Sequence, residues 1–190
     1  MESKLVLVTG GSRSGKSEFA EKYVLHYSPK CDYIATAEIL DDEMAERVRL
    51  HQQRRADVRW VNHEAPYHAD EVFAQLTAET GAVLFDCLTV YMANLMYGKD
   101  APQGSFMERC EFVFAEIDKL LLAARNSGKL VVFVTNEVGG GIVPANKVAR
   151  EYSDLSGWVN QRVAAACEQV FYCVAGQAVD VKKLAYKFEE

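Results

Sequence analysis

A glycine-rich stretch near the start of the chain, GGSRSGKS at residues 10–17, matches the pattern GxxxxGK(S/T) in full. An apolar run, KLVLVT, leads into it from residue 4, and a helical pattern, KSEFAEKYVLHY, follows at residues 16–27. Glycines let the main-chain N–H groups of such a loop turn toward phosphate oxygens, and the helix N-terminus adds a favourable dipole. Strand, loop and helix in this order predict a phosphate-binding loop at the end of a β-strand.

The chemistry of such a loop requires a cation for the phosphates and oxygen ligands for a metal ion. Lys16 can reach the β- and γ-phosphates of a nucleotide, and the Ser17 hydroxyl can bind Mg²⁺. A second metal ligand is expected at the end of another strand, where Asp86 closes the run AVLFD. Asp86 also has a structural interpretation, as the N-cap of the helix that is predicted to begin at Leu88.

Short apolar runs alternate with helical patterns along the chain, which is typical of a parallel sheet covered by helices. The predicted strands span residues 4–9, 31–36, 58–61, 82–87, 129–135 and 170–175, with a weak edge strand at 178–184. The predicted helices span residues 16–27, 41–55, 68–79, 88–97, 106–126 and 153–169, and residues 98–105 form a surface loop. The expected fold class is α/β, a three-layer P-loop NTPase-like domain with a mostly parallel sheet flanked by helices, and residues 1–190 form this single domain.

Composition and charge argue against several classes of protein. Hydrophobic residues make up 49% and charged residues 25% of the 190 positions, and no apolar run approaches the roughly 18 residues of a membrane span. The net charge of −6 disfavours nucleic-acid binding, which needs a basic face. The start of the chain lacks the pattern of a signal peptide, and the five cysteines lack a CxxC pair. Buried, reduced thiols and a cytoplasmic location are therefore expected.

The predicted helix at residues 41–55 carries basic side chains on one face. Arg47, His51 and Arg55 follow each other at steps of four, which places them on the same side of a helix. An anion could dock there, and the two guanidinium groups would favour a neutral, nucleophilic imidazole. From spacing alone, a solvated basic face is the simpler interpretation.

A polar, glycine-rich stretch, TNEVGGGIVP, begins at the end of the predicted strand 129–135. Ligands of open α/β sheets bind beyond the carboxyl ends of the strands. This stretch is therefore expected to border the same cleft as the phosphate-binding loop, unless it is only a flexible connection between a strand and a helix.

With these motifs the sequence resembles the bifunctional adenosylcobinamide kinase / adenosylcobinamide-phosphate guanylyltransferases of cobalamin biosynthesis. The matching segments are TGGSRSGKS at residues 9–17, YIATAEILDDEMAERV at 33–48, His51, TNEVGGGIVP at 135–144 and AREYSDLSGWVNQRVAAA at 149–166. The phosphate-binding loop by itself is generic, whereas ILDDEMAERV together with TNEVGGGIVP is specific to this family.

The resemblance implies two reactions on a corrinoid. Members of the family phosphorylate the hydroxyl of the aminopropanol arm of adenosylcobinamide, and the phosphate donor is ATP or GTP. They then transfer GMP from GTP to adenosylcobinamide phosphate, which gives adenosylcobinamide-GDP and pyrophosphate. GMP passes through a covalent guanylyl-histidine, and the matching position in this sequence is His51. Subunits of the family associate as homotrimers.

The resemblance also implies a set of site residues. His51 and Lys16 are the catalytic candidates, and Ser17 and Asp86 are the candidate metal ligands. The candidate nucleotide-binding residues are Gly10, Gly11, Ser12, Arg13, Ser14, Gly15, Lys16, Ser17, Ala35, Thr36, Ala37, Arg54, Arg55, Glu64 and Asp86. Two rival hypotheses remain open, a P-loop small-molecule kinase without nucleotidyl transfer and a nucleotide-dependent switch.

Overall fold

A mostly parallel sheet forms the middle layer of the protein. The computed structural model describes residues 3–38, 49 and 60–187. The strands within them are β1 (Lys4–Gly10), β2 (Cys31–Ala35), β3 (Trp60–Glu64), β4 (Ala82–Asp86), β5 (Leu130–Val134), β6 (Gln169–Val174) and β7 (Gln177–Asp180). They pair in the order β3-β2-β4-β5-β1-β6-β7, and only β7 of the described strands is antiparallel to its neighbour. The carboxyl ends of β1 to β6 therefore meet at one edge of the sheet.

Helices cover both faces of this sheet. They are α1 (Lys16–Tyr27), α2 (Leu88–Tyr97), α3 (Phe106–Asn126), α4 (Lys147–Ala166) and α5 (Val181–Leu184), with a 3₁₀ helix at Ala69–Ala74. Successive strand residues point to opposite faces, so α1 packs with one set of strand side chains while α2, α3 and α4 pack with the other. The result is three layers, which confirms the predicted fold class.

Burial follows the position of each strand in the sheet. Every residue of β5 is buried, because helices cover both of its faces and strands flank it on both sides. The edge strand β3 has no fully buried residue among its five. The phosphate-binding loop follows β1, which is also an interior strand, so neighbouring strands on both sides hold the residue from which the loop begins.

Two helical predictions differ from the structure. Helix α4 begins at Lys147 rather than at residue 153, because the Asn146 side chain accepts hydrogen bonds from the main-chain N–H groups of Val148 and Ala149 and caps an earlier turn. The predicted helix at 68–79 is a shorter 3₁₀ helix whose buried residues, Ala69 and Val72, are three positions apart, as the period of a 3₁₀ helix requires.

Two predicted strands differ from the structure by more than one residue at an end. Strand β3 spans Trp60–Glu64 instead of 58–61, and the weak strand at 178–184 is divided between β7 and the short helix α5. Residues 98–105 form a loop between α2 and α3, as predicted. The predicted helix at 41–55 lies outside the described residues apart from residue 49. Across the described ranges, no helix has the length and apolar character needed to cross a membrane.

Candidate functional site

The phosphate-binding loop connects β1 to α1 at the carboxyl edge of the sheet. Gly10 ends β1, and a Cβ atom there would lie 2.6 Å from Ser14 Oγ and even closer to a main-chain oxygen of β6. Ser12 and Arg13 form the exposed tip of the loop. Gly15 is the N-cap of α1 with φ of 91°, and no side chain of the described residues caps this helix start. The first-turn N–H groups of α1 are therefore suited to an anion.

The turn between β6 and β7 supports the loop, although it lies outside the predicted set of site residues. Ala175 and Gly176 form this turn with φ of 49° and 77°, and the Gly176 N–H donates to the Ser14 carbonyl oxygen at 2.9 Å. A Cβ atom on Gly15 would lie 3.0 Å from Gly176 Cα, so the two glycines pack main chain to main chain. The Ala-Gly pair between two β-rich runs is the sequence signal for this tight turn.

Lys16 begins α1 and folds back over the loop. Its Nζ donates to the Gly11 carbonyl oxygen at 3.1 Å. Burial lowers the pKa of the Lys16 ammonium group, while Cys87, Asp86 and Cys173 act electrostatically in the opposite direction. A bound anion would favour the charged form of this half-buried group, as expected of a phosphate-binding lysine. Ser17 follows it in the first turn of the helix.

Three candidate residues lie side by side on the sheet edge. Ala35 ends β2 and pairs in register with Glu64, which ends β3, and with Asp86, which ends β4. Residues of one register row point to the same face, which is the face that α1 covers. Strand spacing places Asp86 about 10 Å and Glu64 about 19 Å from β1. Asp86 is therefore the nearer of the two carboxylates to the loop.

Strand β2 and the residue after it hold Asp86 through both its side chain and its main chain. The Tyr33 hydroxyl donates to Asp86 Oδ2 at 2.9 Å, and the Thr36 N–H donates to the Asp86 carbonyl oxygen at 3.3 Å. The Asp86–Cys87 peptide bond is cis, and the Thr36 hydroxyl donates to the carbonyl oxygen of Cys87 and accepts from its N–H, both at 2.9 Å. The interpretation of Asp86 as a helix cap is wrong, because Asp86 closes β4 and Cys87 is the N-cap of α2.

The other candidate nucleotide contacts fall into two groups. Thr36 is fully buried, its hydroxyl group binds Cys87, and its carbonyl group binds Asn94. The Thr36 side chain therefore stabilises the edge of the sheet from within and does not form part of the exposed surface of the site. Ala37 follows it and is partly exposed. The remaining candidates lie outside the described residues, and they are His51, Arg54 and Arg55.

The stretch after β5 borders the phosphate-binding loop, as predicted. The Glu137 N–H donates to the Gly10 carbonyl oxygen at 3.0 Å, which joins the two segments directly. The buried Thr135 hydroxyl donates to Asn160 Oδ1 on α4 at 2.9 Å and anchors the start of the stretch. Because β5 lies between β1 and β4, this segment leaves the sheet between the loop and Asp86.

The oxygen donors at this edge suit a nucleotide-bound Mg²⁺. Ser17 supplies a hydroxyl from the first turn of α1, and Asp86 supplies a carboxylate two strands away. Within the described part of the chain, no group of three or more His, Cys, Asp or Glu side chains is arranged to hold a metal ion. Mg²⁺ in nucleotide-binding sites is typically held by one or two carboxylates together with phosphate oxygens and water, so this sparse donor set fits.

Comparison with known proteins identifies the family. The family model described as cobinamide kinase / cobinamide phosphate guanyltransferase (CobU) matches residues 6–181. The chain belongs to this family. It is 41% identical over 184 residues to the bifunctional adenosylcobalamin biosynthesis protein CobU of Salmonella typhimurium, an alignment that covers 94% of this chain and 99% of that protein. The resemblance inferred from the motifs is therefore confirmed.

Other members of the CobU family show similar likeness. The bifunctional adenosylcobalamin biosynthesis protein CobP of Pseudomonas aeruginosa is 36% identical over 177 residues, covering 93% of this chain and 96% of that protein. The sequence relatives match along nearly their whole length, so the CobU assignment applies to the chain as a unit.

Among solved structures, a KaiC-like protein from Pyrococcus horikoshii aligns with 90% of this chain and 71% of its own, at 13% identity and a TM-score of 0.47.

Proposed function

We propose that this chain carries out both reactions in its family's description, with adenosylcobinamide as the corrinoid substrate. It phosphorylates the hydroxyl of the aminopropanol arm with ATP or GTP, and it then transfers GMP from GTP to adenosylcobinamide phosphate. The products of the second reaction are adenosylcobinamide-GDP and pyrophosphate. One observation carries the proposal: a chain matched to this family over residues 6–181 has a phosphate-binding loop with Lys16 at the start of α1, on the same sheet edge at which Asp86 ends β4.

In the kinase step, the acceptor hydroxyl oxygen attacks the γ-phosphorus, the nucleoside diphosphate leaves, and the hydroxyl proton is released. The N–H groups at the start of α1 bind the phosphates, and Lys16 stabilises the charge that develops on them. Ser17 and Asp86 would hold Mg²⁺, which supplies further neutralisation of the phosphate oxygens when bound. This chemistry depends on positioning and charge, so it requires no covalent enzyme intermediate.

In the transfer step, an imidazole nitrogen of His51 attacks the α-phosphorus of GTP, and pyrophosphate leaves. A phosphate oxygen of the acceptor then attacks the same phosphorus, and the P–N bond breaks to restore free His51. A covalent intermediate of this kind divides one difficult substitution into two easier ones. Arg47 and Arg55, four positions before and after His51 in the sequence, would neutralise the triphosphate during the first substitution.

The proposal extends to the partners of the chain. Corrinoids and nucleoside triphosphates are the proposed ligands, the assembly is a homotrimer as the family resemblance implies, and the location is the cytoplasm. The net charge of −6 supports a protein without a nucleic-acid partner.

The covalent intermediate provides the decisive test. Wild-type protein, His51→Ala and the control variant His26→Ala are incubated with α-labelled GTP and Mg²⁺, and acid-labile, base-stable label on the chain is measured. His26 is an exposed histidine on α1, so its removal controls for the loss of an imidazole. We expect label on wild-type protein and on His26→Ala and none on His51→Ala, because His51 is the nucleophile in this proposal.

A kinase assay completes the test. Transfer of γ-label to adenosylcobinamide is expected to survive in His51→Ala at least in part, since this step has no histidine intermediate. Label on His51→Ala would show that another residue is the nucleophile. Wild-type protein that phosphorylates cobinamide but takes up no α-label would be a kinase alone, and hydrolysis without either product would indicate a nucleotide-dependent switch.

A further inference from the structure

The carboxylate of Asp86 has a hydrogen-bond donor on the neighbouring strand. Tyr33 lies in β2 and pairs in register with Leu84, so Asp86 is its diagonal neighbour two residues farther along β4. An aromatic side chain spans this diagonal distance within a sheet. The Tyr33 hydroxyl donates to Asp86 Oδ2 at 2.9 Å, a contact between residues 53 positions apart in the sequence.

The ring that carries this hydroxyl is itself fixed. Only 4% of Tyr33 is exposed, and its ring packs edge-on against Trp60, with centroids 6.0 Å apart and an interplanar angle of 79°. The main chain on the other side of the contact is also fixed, because Thr36 binds the carbonyl group of Asp86 and both polar main-chain groups of Cys87. The donor and the acceptor therefore meet in one defined geometry.

We propose that Tyr33 is a positioning residue that sets the orientation of the Asp86 carboxylate toward the metal ion. A carboxylate at a strand end rotates about its last bond, and a donor of fixed position favours one orientation. The phenol is neutral, so it orients the carboxylate without cancelling the charge that attracts Mg²⁺. Groups that orient a metal ligand in this way typically affect metal affinity about 10–100-fold. This inference rests on the metal-binding role of Asp86 in the proposed function.

The test is the affinity of the protein for Mn²⁺ in the presence of a non-hydrolysable GTP analogue, measured by electron paramagnetic resonance. Tyr33→Phe keeps the ring and removes only the hydroxyl, and we expect its Mn²⁺ affinity to fall about tenfold. The matched control is Tyr91→Phe, which also removes a buried hydroxyl, one that accepts from the Ala69 N–H at 3.3 Å. Tyr91→Phe is expected to leave the Mn²⁺ affinity unchanged.

A double-mutant cycle with Asp86→Asn shows whether Tyr33 acts through Asp86. If it does, Tyr33→Phe weakens Mn²⁺ binding in the wild-type background and adds little in the Asp86→Asn background. If Tyr33→Phe lowers the Mn²⁺ affinity equally in both backgrounds, the inference is overturned, because Tyr33 would then act independently of Asp86. If Asp86→Asn weakens Mn²⁺ binding and Tyr33→Phe leaves it unchanged, the role of Tyr33 is overturned and the metal role of Asp86 is retained.

Two further outcomes separate this inference from the proposed function. Unchanged Mn²⁺ binding in Asp86→Asn overturns the metal role of Asp86 and, with it, the inference about Tyr33. In turnover assays, Tyr33→Phe is expected to need more Mg²⁺ for half-maximal kinase rate while reaching near-normal rate at saturation. A lower rate at saturating Mg²⁺ with an unchanged half-maximal concentration contradicts a positioning role.

Discussion

At the scale of single residues, Lys16 combines a positive charge with a half-buried position. Burial lowers the pKa of its ammonium group, and the nearby Asp86 charge opposes this shift. A charge in such surroundings interacts with phosphate more strongly than a charge in water. In the proposed function, loss of the lysine would remove both a phosphate ligand and a source of transition-state stabilisation.

We predict that Lys16→Ala lowers both kinase and GMP-transfer rates by much more than tenfold, because one phosphate-binding loop serves both reactions. Tenfold corresponds to only about 1.4 kcal/mol, less than a contact to transition-state charge supplies. Steady-state assays of each reaction measure the loss. Lys22→Ala is the control, since Lys22 is an exposed lysine of the same helix paired with Glu18 at 2.7 Å. A kinase rate within tenfold of wild type in a folded Lys16→Ala variant would contradict a shared site.

At the scale of elements, the start of α1 depends on two glycines that meet across the fold. Gly15 has φ of 91°, and a Cβ atom there would lie 3.0 Å from the Cα atom of Gly176 in the β6–β7 turn. A side chain at Gly15 therefore meets both an unfavourable main-chain conformation and a main-chain neighbour. Gly157 offers the opposite situation, since it lies within α4 and a Cβ atom there would meet no atom of the described residues within 4 Å.

We predict that the same substitution has opposite effects at these two positions. Gly15→Ala is expected to lower the free energy of unfolding by about 1–3 kcal/mol and to weaken nucleotide binding, because the main chain of the loop must shift. Gly157→Ala is expected to raise the free energy of unfolding by about 0.5–1 kcal/mol, because alanine is a better helix former than glycine. Urea unfolding followed by circular dichroism measures both changes. A Gly15→Ala variant with wild-type stability and nucleotide affinity would show that the two glycines are not in contact.

At the scale of the whole molecule, the five thiols are distributed over both faces of the sheet and are all free cysteines. Burial raises the pKa of Cys31 and Cys110 to about 11 and that of Cys87 and Cys167 to about 12, and it raises the pKa of Cys173 as well. Four of the five thiols are buried, as predicted, and Cys87 is only partly buried. The raised pKa values favour the protonated thiol in all five. The reactive thiolate form is therefore scarce near neutral pH.

We predict that the native protein reacts with a disulfide reagent at pH 8 far more slowly than the unfolded chain. A raised folded-state pKa keeps each thiol protonated at this pH, and unfolding restores an ordinary pKa and full access. Spectrophotometric titration should count five thiols in denaturant and less than one rapid equivalent in the native state. Rapid reaction of one full equivalent in the native protein would identify an accessible thiolate and contradict the expected protection.

The sequence by itself determined the features that depend on neighbours along the chain. The phosphate-binding loop, the bounds of α1, α2 and α3 and the layered fold class follow from glycine spacing and from apolar periodicity, which are local properties. The early start of α4 was also within reach, since Asn146 is a recognisable N-cap residue. The family resemblance rested on the same local motifs.

Only the tertiary structure decided which distant segments meet. Strand periodicity does not specify the order of strands in a sheet, so it could not place β5 between β1 and β4 or the β6–β7 turn against Gly15. It could not show that Thr36 is buried, or that Tyr33 holds Asp86. These contacts join residues far apart in the sequence, and their geometry arises from the register and packing of whole strands, which no local pattern contains.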